Sequence, residues 1–239
     1  MSTALTHARS PFLTARWEHL ILANYAVDAA LLEPLIPPGL ELDLLEGKPY
    51  VSLVAFNFLD TRVLRVPWPG YRDFPEVNLR FYVRDGSRRG VAFIREYVPK
   101  RLIAYIARGL YNEPYRYAPI EGEVHQHEAQ LEVRYALTCQ GQRSEVSVIA
   151  AARAELPPEN SEAHFFKEHS WGYGTSRSGR LVTYEVQHPV WETYPVKKFN
   201  LRWDWTGIYG PEWAPLADAE PRSVFLAKGS EVSVSPKLD

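Results

Sequence analysis

Pro99 opens a predicted helix, KRLIAYIARGLYN, whose first turn carries two cations, Lys100 and Arg101. The amide end of a helix bears partial positive charge and favours Asp or Glu. Two cations break that rule, and local rules are broken most often where function demands it. Arg101 holds its charge at every relevant pH. Its field, the helix dipole and apolar burial would each favour the neutral form of Lys100. A neutral amine attacks a ketone and forms a Schiff base. The same spacing also fits two side chains that simply point into water.

A second set lies just upstream. From Glu76 to Val83 the residues alternate, with Glu76, Asn78, Arg80 and Tyr82 on one face and Val77, Leu79, Phe81 and Val83 on the other. Acid, amide, guanidinium and phenol on one strand face either line a lumen or face solvent. Glu96, in the strand expected to pair with this one, can join them. The third set is His169-Ser170-Trp171-Gly172-Tyr173, followed by His188 and Trp191. Histidine titrates near neutrality and suits acid–base work, although a histidine among aromatics also fits a packing role.

Other chemistry finds less support. Glu123, His125 and His127 can share a strand face, but no third imidazole or cysteine stands at zinc-site spacing, so no metal is expected. There is no P-loop, no GxGxxG after a strand and no GxSxG elbow, so no cofactor is expected either. Cys139 falls in a hairpin turn without an activating neighbour and reads as inert.

The elements that must hold these groups are mostly strands. Arg16–Tyr25 suits a strand. Asp28 can cap a short helix, AALLEPLI, which Pro37-Pro38-Gly39 ends. Two strands follow around Glu46-Gly47-Lys48, and the proline-rich RVPWPGYRDFP reads as a loop. Glu76–Val83 and VAFIREYV form a hairpin across DGSRRG. In the helix after Pro99, Leu102, Ile103, Ile106, Ala107 and Leu110 make an apolar stripe. Residues 121–138 and 143–153 read as a hairpin around Cys139–Gln142, and Ser161–Glu168 as a short helix. Further strands are expected at Leu181–His188, Trp191–Lys197 and Ser223–Val234. Many antiparallel strands with a few short helices predict an α+β fold, or a nearly closed sheet with helices at its ends.

Composition narrows the setting. The chain has 239 residues, 46% hydrophobic and 23% charged, with no shift marking an internal boundary. A single domain over 1–239, with residues 1–11 a loose start, is the expectation. A net charge of −2 argues against a nucleic-acid partner. One cysteine excludes a disulfide framework. No apolar run reaches the roughly 18–20 residues of a membrane span. MSTALTHARSPF lacks the apolar segment of a signal peptide, so a cytoplasmic protein with no membrane partner is expected. The 7 Trp, 14 Tyr and 10 Phe, 13% of the chain, point to a pocket or interface built from rigid rings.

The run FPEVNLRFYVRDGSRRGVAFIREYVPKRLIAYIARGLYNEPY, with EHSWGY, YEVQHPVW and PRSVFLAKGSEVSV, resembles the YqjF-like family of uncharacterised proteins (domain of unknown function 2071) over Trp17 to Val234. That family has no established activity. It is distantly similar to acetoacetate decarboxylase. LILANYAVDAALLEPLIPPGLELD and PYVSLVAFNFLDT resemble the decarboxylase's opening. EYVPKR resembles the segment holding its Schiff-base lysine and the neighbouring lysine that activates it. By that resemblance Lys100 stands at the nucleophile and Arg101 at its cationic neighbour. The decarboxylase's two pocket glutamates fall on Val54 and on the acid-free RVPWPG loop, and its arginine falls near Trp17, so the polar groups of this pocket differ.

The resemblance implies an antiparallel sheet curled into a cone or partial barrel, and it leaves homo-oligomerisation open. It also implies cofactor-free lyase chemistry on a small keto acid. Lys100 would form the iminium, Glu76, Glu96 or His169 would move protons, and Arg80 would hold a carboxylate. Asn78, Tyr82, His169, Trp171, Tyr173 and His188 would line the substrate site. Tyr97, Tyr105 and Tyr111, flanking Lys100, would meet Trp171, Tyr173, His188 and Trp191 around one cavity. A non-catalytic cavity for a small apolar or carboxylated ligand is the alternative, and a partner-binding surface of exposed rings is a third.

Overall fold

The computed structural model describes residues 10–110 and 114–238, with backbone alone at 106–110. In chain order the elements are β1 (Leu13–Ala26), α1 (Ala29–Leu32), β2 (Glu41–Leu42), β3 (Tyr50–Val63), β4 (Val66–Pro67), β5 (Phe74–Asp85) and β6 (Arg88–Val98). Then come α2 (Arg101–Leu110), β7 (Tyr115–Tyr117), β8 (Ile120–Gln126), β9 (Gln130–Cys139), β10 (Gln142–Ala151), α3 (Glu162–Lys167), β11 (Trp171–Thr175) and β12 (Leu181–Gln187). The series ends with β13 (Thr193–Tyr194), β14 (Val196–Arg202), α4 (Trp205–Tyr209) and β15 (Ser223–Val234).

Among the described residues, the larger sheet curls until it meets itself. Its pairings run β5–β3–β1–β15–β12–β11–β6 and return to β5. Every pairing in this ring is antiparallel except β6 with β11, where Trp171, Gly172 and Tyr173 run parallel to Gly90, Val91 and Ala92. A second sheet, β14–β10–β9–β8, lies against the ring's outer face. The fold is therefore mainly antiparallel β with a few short helices.

Burial on both faces explains the strand sequences. The outer residues of β1, β3 and β5, including Ile21, Ala23, Leu53, Val77, Leu79 and Phe81, join Val133, Tyr135, Leu137 and Val148 of the second sheet in one core. The inner residues, among them Leu20, Leu22, Val54, Phe56 and Phe58, form a separate cluster inside the ring. A bulge in β1 keeps the two sets apart. His19 has φ +55°, and the pairing with β3 shifts between Glu18 and Ile21. The extra residue puts Trp17 and Leu20 on the same inner face.

Helix signals behave as local physics requires. Asp28 caps α1 by accepting from the Ala30 amide at 2.9 Å, and such a cap is worth about 1 kcal/mol. Ser161 caps α3 in the same way. Gln140 and Gly141, at φ +50° and +80°, make the tight turn between β9 and β10. Both central residues of this turn type need positive φ, which glycine adopts without strain.

Several expectations change. The segment 121–138 is two strands, β8 and β9, paired through a turn at His127–Ala129. The strands around Glu46–Lys48 do not pair with each other. Leu45 and Lys48 make only a bridge, and β2 pairs with β5. Trp191–Lys197 divides between β13 and β14. Of the predicted α2 stripe, Leu102 is exposed, Ile103 is half-buried, and the side chains of Ile106, Ala107 and Leu110 lie outside the described ones. The loose start at 1–11 also falls outside them except for Ser10 and Pro11. No helix among the described residues is long and apolar enough to cross a membrane.

Candidate functional site

The ring surrounds a cavity of about 210 Å³ that is partly open to solvent. At liquid density that is roughly the volume of seven waters, which suits a small molecule. Trp17, Phe56, Phe58 and Phe74, from β1, β3 and β5, supply much of its wall, with Trp191 beside Trp17. Trp17 meets Phe56 and Phe58 edge-on at 5.2 and 5.4 Å and lies 6.0 Å from Trp191. The Trp191 indole is pinned by donating to Ser230 Oγ at 2.8 Å. Rings held on both sides leave a wall with little freedom to collapse.

Polar groups enter this apolar space from one strand pair and one helix end. Glu76 and Asn78 of β5 and Glu96 of β6 are each 2% exposed. Asn78 donates to Glu76 Oε1 at 2.9 Å, and the Tyr115 hydroxyl donates to Oε2 at 3.1 Å. Asn78 and Glu96 are direct cross-strand partners. Arg80 donates through Nη2 to the Phe166 carbonyl at 2.9 Å, while its buried Nε has no hydrogen-bond partner among the described residues. The inward face of β5 is thus polar because it lines a cavity, and its outward face is apolar because the second sheet covers it.

The short helix α3 closes the ring beside Arg80. Phe166, fully buried, packs on Tyr50 and Tyr82 at 5.3 and 5.4 Å. Its carbonyl, one of those a helix leaves unbonded at its end, accepts from Arg80 and from the Tyr82 hydroxyl. Lys167 follows with its side chain 1% exposed, lining the cavity and paired with Glu168.

Next comes His169, whose Nε2 lies 2.9 Å from Asp43 Oδ2. Arg89 Nε donates to the same Asp43 oxygen at 2.6 Å, and its guanidinium covers the Phe165 ring at 4.6 Å. Burial pushes Asp43 up, but the bonds from His169 and Arg89 outweigh it and hold the carboxyl below its ordinary value. Burial lowers His169. Near neutrality this is a carboxylate accepting from a neutral imidazole, so Nε2 carries the proton and Nδ1 the lone pair. Nδ1 is buried with no hydrogen-bond partner among the described residues. His188 stacks on Trp191 at 4.0 Å, its Nδ1 lies 2.8 Å from the Pro189 carbonyl, and burial lowers it too.

The sequence-derived groups therefore divide. Glu76, Asn78, Arg80, Glu96, His169, Trp171 and His188 all line the one cavity. Tyr82 and Tyr173 stand apart from its wall. The Tyr82 hydroxyl lies against Ser52 Oγ at 2.5 Å, and Tyr173 packs in the outer core. Lys100 is half-buried with its amine 5.9 Å from the Tyr71 ring centre, and it is not among the cavity's lining residues, although Tyr71 is. Arg101 is exposed and lies over Tyr117 at 4.7 Å. Tyr97 donates to the Ile208 carbonyl in the outer core, Tyr105 is 78% exposed, and Tyr111 lies outside the described residues.

Glu123 pairs with Arg134 at 2.6 Å, and His125 stands 3.7 Å from it on the exposed β8. Cys139 is a half-buried free thiol at the end of β9. The HSWGY motif acquires a physical role in its glycine. A Cβ on Gly172 would lie 2.1 Å from the Tyr184 ring, so only glycine lets that ring reach the wall.

Lys167 and Asp43 were not singled out from sequence. Lys167 sits in the last turn of a helix, where a lysine is unremarked. The only local sign is the Phe165-Phe166 pair before it, which implies a buried helix end. Asp43 lies in a connection 126 residues from its histidine and carries no local sign.

The family model of DUF2071, described as an uncharacterised conserved protein, matches residues 14–231. The uncharacterised protein YqjF of Bacillus subtilis (strain 168) is 35% identical over 108 residues, which are 45% of this chain and 45% of that protein. Among solved structures, the enduracididine biosynthesis enzyme MppR with HEPES buffer bound superimposes at a TM-score of 0.66 and 17% identity, covering 96% of this chain and 88% of MppR. MppR has also been solved with pyruvate. Acetoacetate decarboxylase from Legionella pneumophila gives 0.65 and 14%, covering 99% and 90%. At these identities the likeness to solved structures is one of fold.

Proposed function

The chain belongs to the DUF2071 family of uncharacterised conserved proteins, and from that premise and the cavity's geometry we propose that it binds a small keto acid inside the ring. The observation that carries this is Arg80, a guanidinium with an unpartnered Nε at one side of an aromatic-walled space. A buried donor favours an acceptor, and a carboxylate meets a guanidinium with two parallel bonds. The rings suit the ligand's apolar body. Glu76, Asn78 and Glu96 give it a polar end where protons can be exchanged, and His169 offers an imidazole held in one tautomer by Asp43. Pyruvate, carried by a protein of the same fold, is the first ligand to test. Lys100 and Arg101, near Tyr71 and Tyr117, would draw an anion toward the cavity.

Titration calorimetry with pyruvate and acetoacetate tests this reading. Both should bind, and acetone, which lacks the carboxylate, should bind more weakly. Arg80→Met should weaken the keto acids about thirty-fold, from about 2 kcal/mol of lost charged hydrogen bonding. Equal affinity for acetone and acetoacetate would remove the carboxylate from the reading.

A second reading makes Lys100 a Schiff-base lysine acting on the same carbonyl group. It is favoured by the nearness of its amine to Tyr71, a wall residue. Borohydride reduction in the presence of acetoacetate, followed by peptide mapping, would then label Lys100, and Lys100→Ala would abolish the label.

A further inference from the structure

Among the described residues, Lys167 is the only lysine that lines the cavity. Its side chain is 1% exposed and that of Glu168 14% exposed, so the pair lies between the ring interior and its edge. The backbone there is firmly set. The carbonyl of Phe166, immediately before Lys167, is held by Arg80 at 2.9 Å, and the Phe166 ring is locked between Tyr50 and Tyr82. This contact fixes the start of the Lys167 side chain next to the guanidinium. A 2-keto acid carries its carboxylate and its carbonyl on adjacent carbons. A carboxylate on Arg80 therefore brings the carbonyl into the neighbourhood of Lys167.

The surroundings of the amine also fit a reaction that moves protons. Glu168 is its direct partner. His188 lines the same cavity and lies within the electrostatic reach of both Lys167 and Glu168. Its Nδ1 faces the Pro189 carbonyl, which can only accept, so Nδ1 carries the proton and Nε2 the lone pair.

We propose that Lys167 is the nucleophile of the cavity and forms an iminium with the carbonyl of a 2-keto acid whose carboxylate rests on Arg80. The proposal deepens the keto-acid reading and rests on it. Glu168 takes a proton from the Lys167 ammonium. The free amine attacks the carbonyl carbon, a C–N bond forms, and the C=O π pair moves to oxygen, which receives that proton. The resulting carbinolamine loses a second proton from nitrogen to Glu168, which passes it to the hydroxyl. The C–O bond breaks, water leaves, and the nitrogen lone pair completes C=N⁺. Ammonium and ketone become iminium and water, with no oxidant or reductant needed.

The test is reductive trapping with pyruvate and sodium borohydride, which converts the iminium to a stable secondary amine. Peptide mapping of the intact wild-type protein should place it on Lys167. The adduct should be absent from Lys167→Arg and retained in Lys100→Arg. Glu168→Gln should form the adduct about a hundredfold more slowly. A label on Lys100 overturns the proposal. Calorimetric binding of pyruvate without any adduct also overturns it, while leaving the keto-acid reading intact. Failure of wild type to bind pyruvate or any longer 2-keto acid overturns this proposal, and failure to bind acetoacetate as well overturns the keto-acid reading with it. The wild-type map decides the matter even if Lys167→Arg does not fold.

Discussion

Two helix ends treat a lysine in opposite ways. At the start of α2, Lys100 and Arg101 sit where helix electrostatics oppose them, and both find relief at the surface over aromatic rings. At the end of α3, Lys167 sits where the helix favours a cation, yet its side chain is withdrawn from water. The locally anomalous lysine is the more exposed one, and the locally ordinary one is buried. Local helix rules report a cost of fractions of a kcal/mol, which exposure can screen away. Burial of a charge costs several kcal/mol and is decided by the tertiary fold.

Stability measurements can break this contrast. Lys167→Ala should cost about 3 kcal/mol in urea unfolding, because it leaves Glu168 without its partner near the cavity. Lys100→Ala should stay within about 0.5 kcal/mol. Similar losses at the two positions would end the distinction. Next in size, Asp43→Asn should cost about 2 kcal/mol, since it weakens acceptors for both His169 and Arg89. Asp60→Asn, at an exposed ion pair with Arg72, should cost less than about 0.5 kcal/mol.

Acidity separates the regions again. His169 and His188 are lowered in the folded state, so the unfolded chain binds their protons first as the pH falls. Their contribution is complete above the unfolded value of about 6.5 and is lost progressively below it. Asp43, also lowered, adds a second loss as the pH drops below about 4. A pH series of melting temperatures should therefore decline from about 6.5 downward, and His169→Phe should flatten the upper part of that decline. Arg101→Ala should cost about 0.5 kcal/mol through its contact with Tyr117.

The sequence was most readable where one element carries its own pattern. The alternation from Glu76 to Val83 correctly separates the two faces of β5. Alternation alone cannot say that both faces are buried, because a polar face toward solvent and one toward a cavity have the same period. The cap at Asp28 and the short helix from Ser161 were readable for the same local reason. The β11 strand was not: its five residues pair along their length with β12, and Trp171–Tyr173 complete their other edge on β6, some eighty positions earlier in the chain. Lys167 and Asp43 escaped notice by the same route, since their partners or their burial come from ring closure. The aromatic wall was partly misplaced. Trp171, His188 and Trp191 do line it, but they are joined there by Trp17, Phe56 and Phe58 rather than by the tyrosines flanking Lys100.

The pairing of β1 with β15 sets the order in which all this can come into being. Asn24 and Ser223, neighbours across that pairing, are 199 residues apart in the chain. Contacts so distant in sequence form late, because a large loop must close before they repay its entropy. The hairpin of β5 and β6 can assemble early from local turns, carrying Glu76, Asn78, Arg80 and Glu96 with it. The enclosed space around them exists only once β15 has docked. A ligand that requires the enclosed space would then bind only the finished ring. Saturating it should slow global unfolding and leave early hairpin formation untouched.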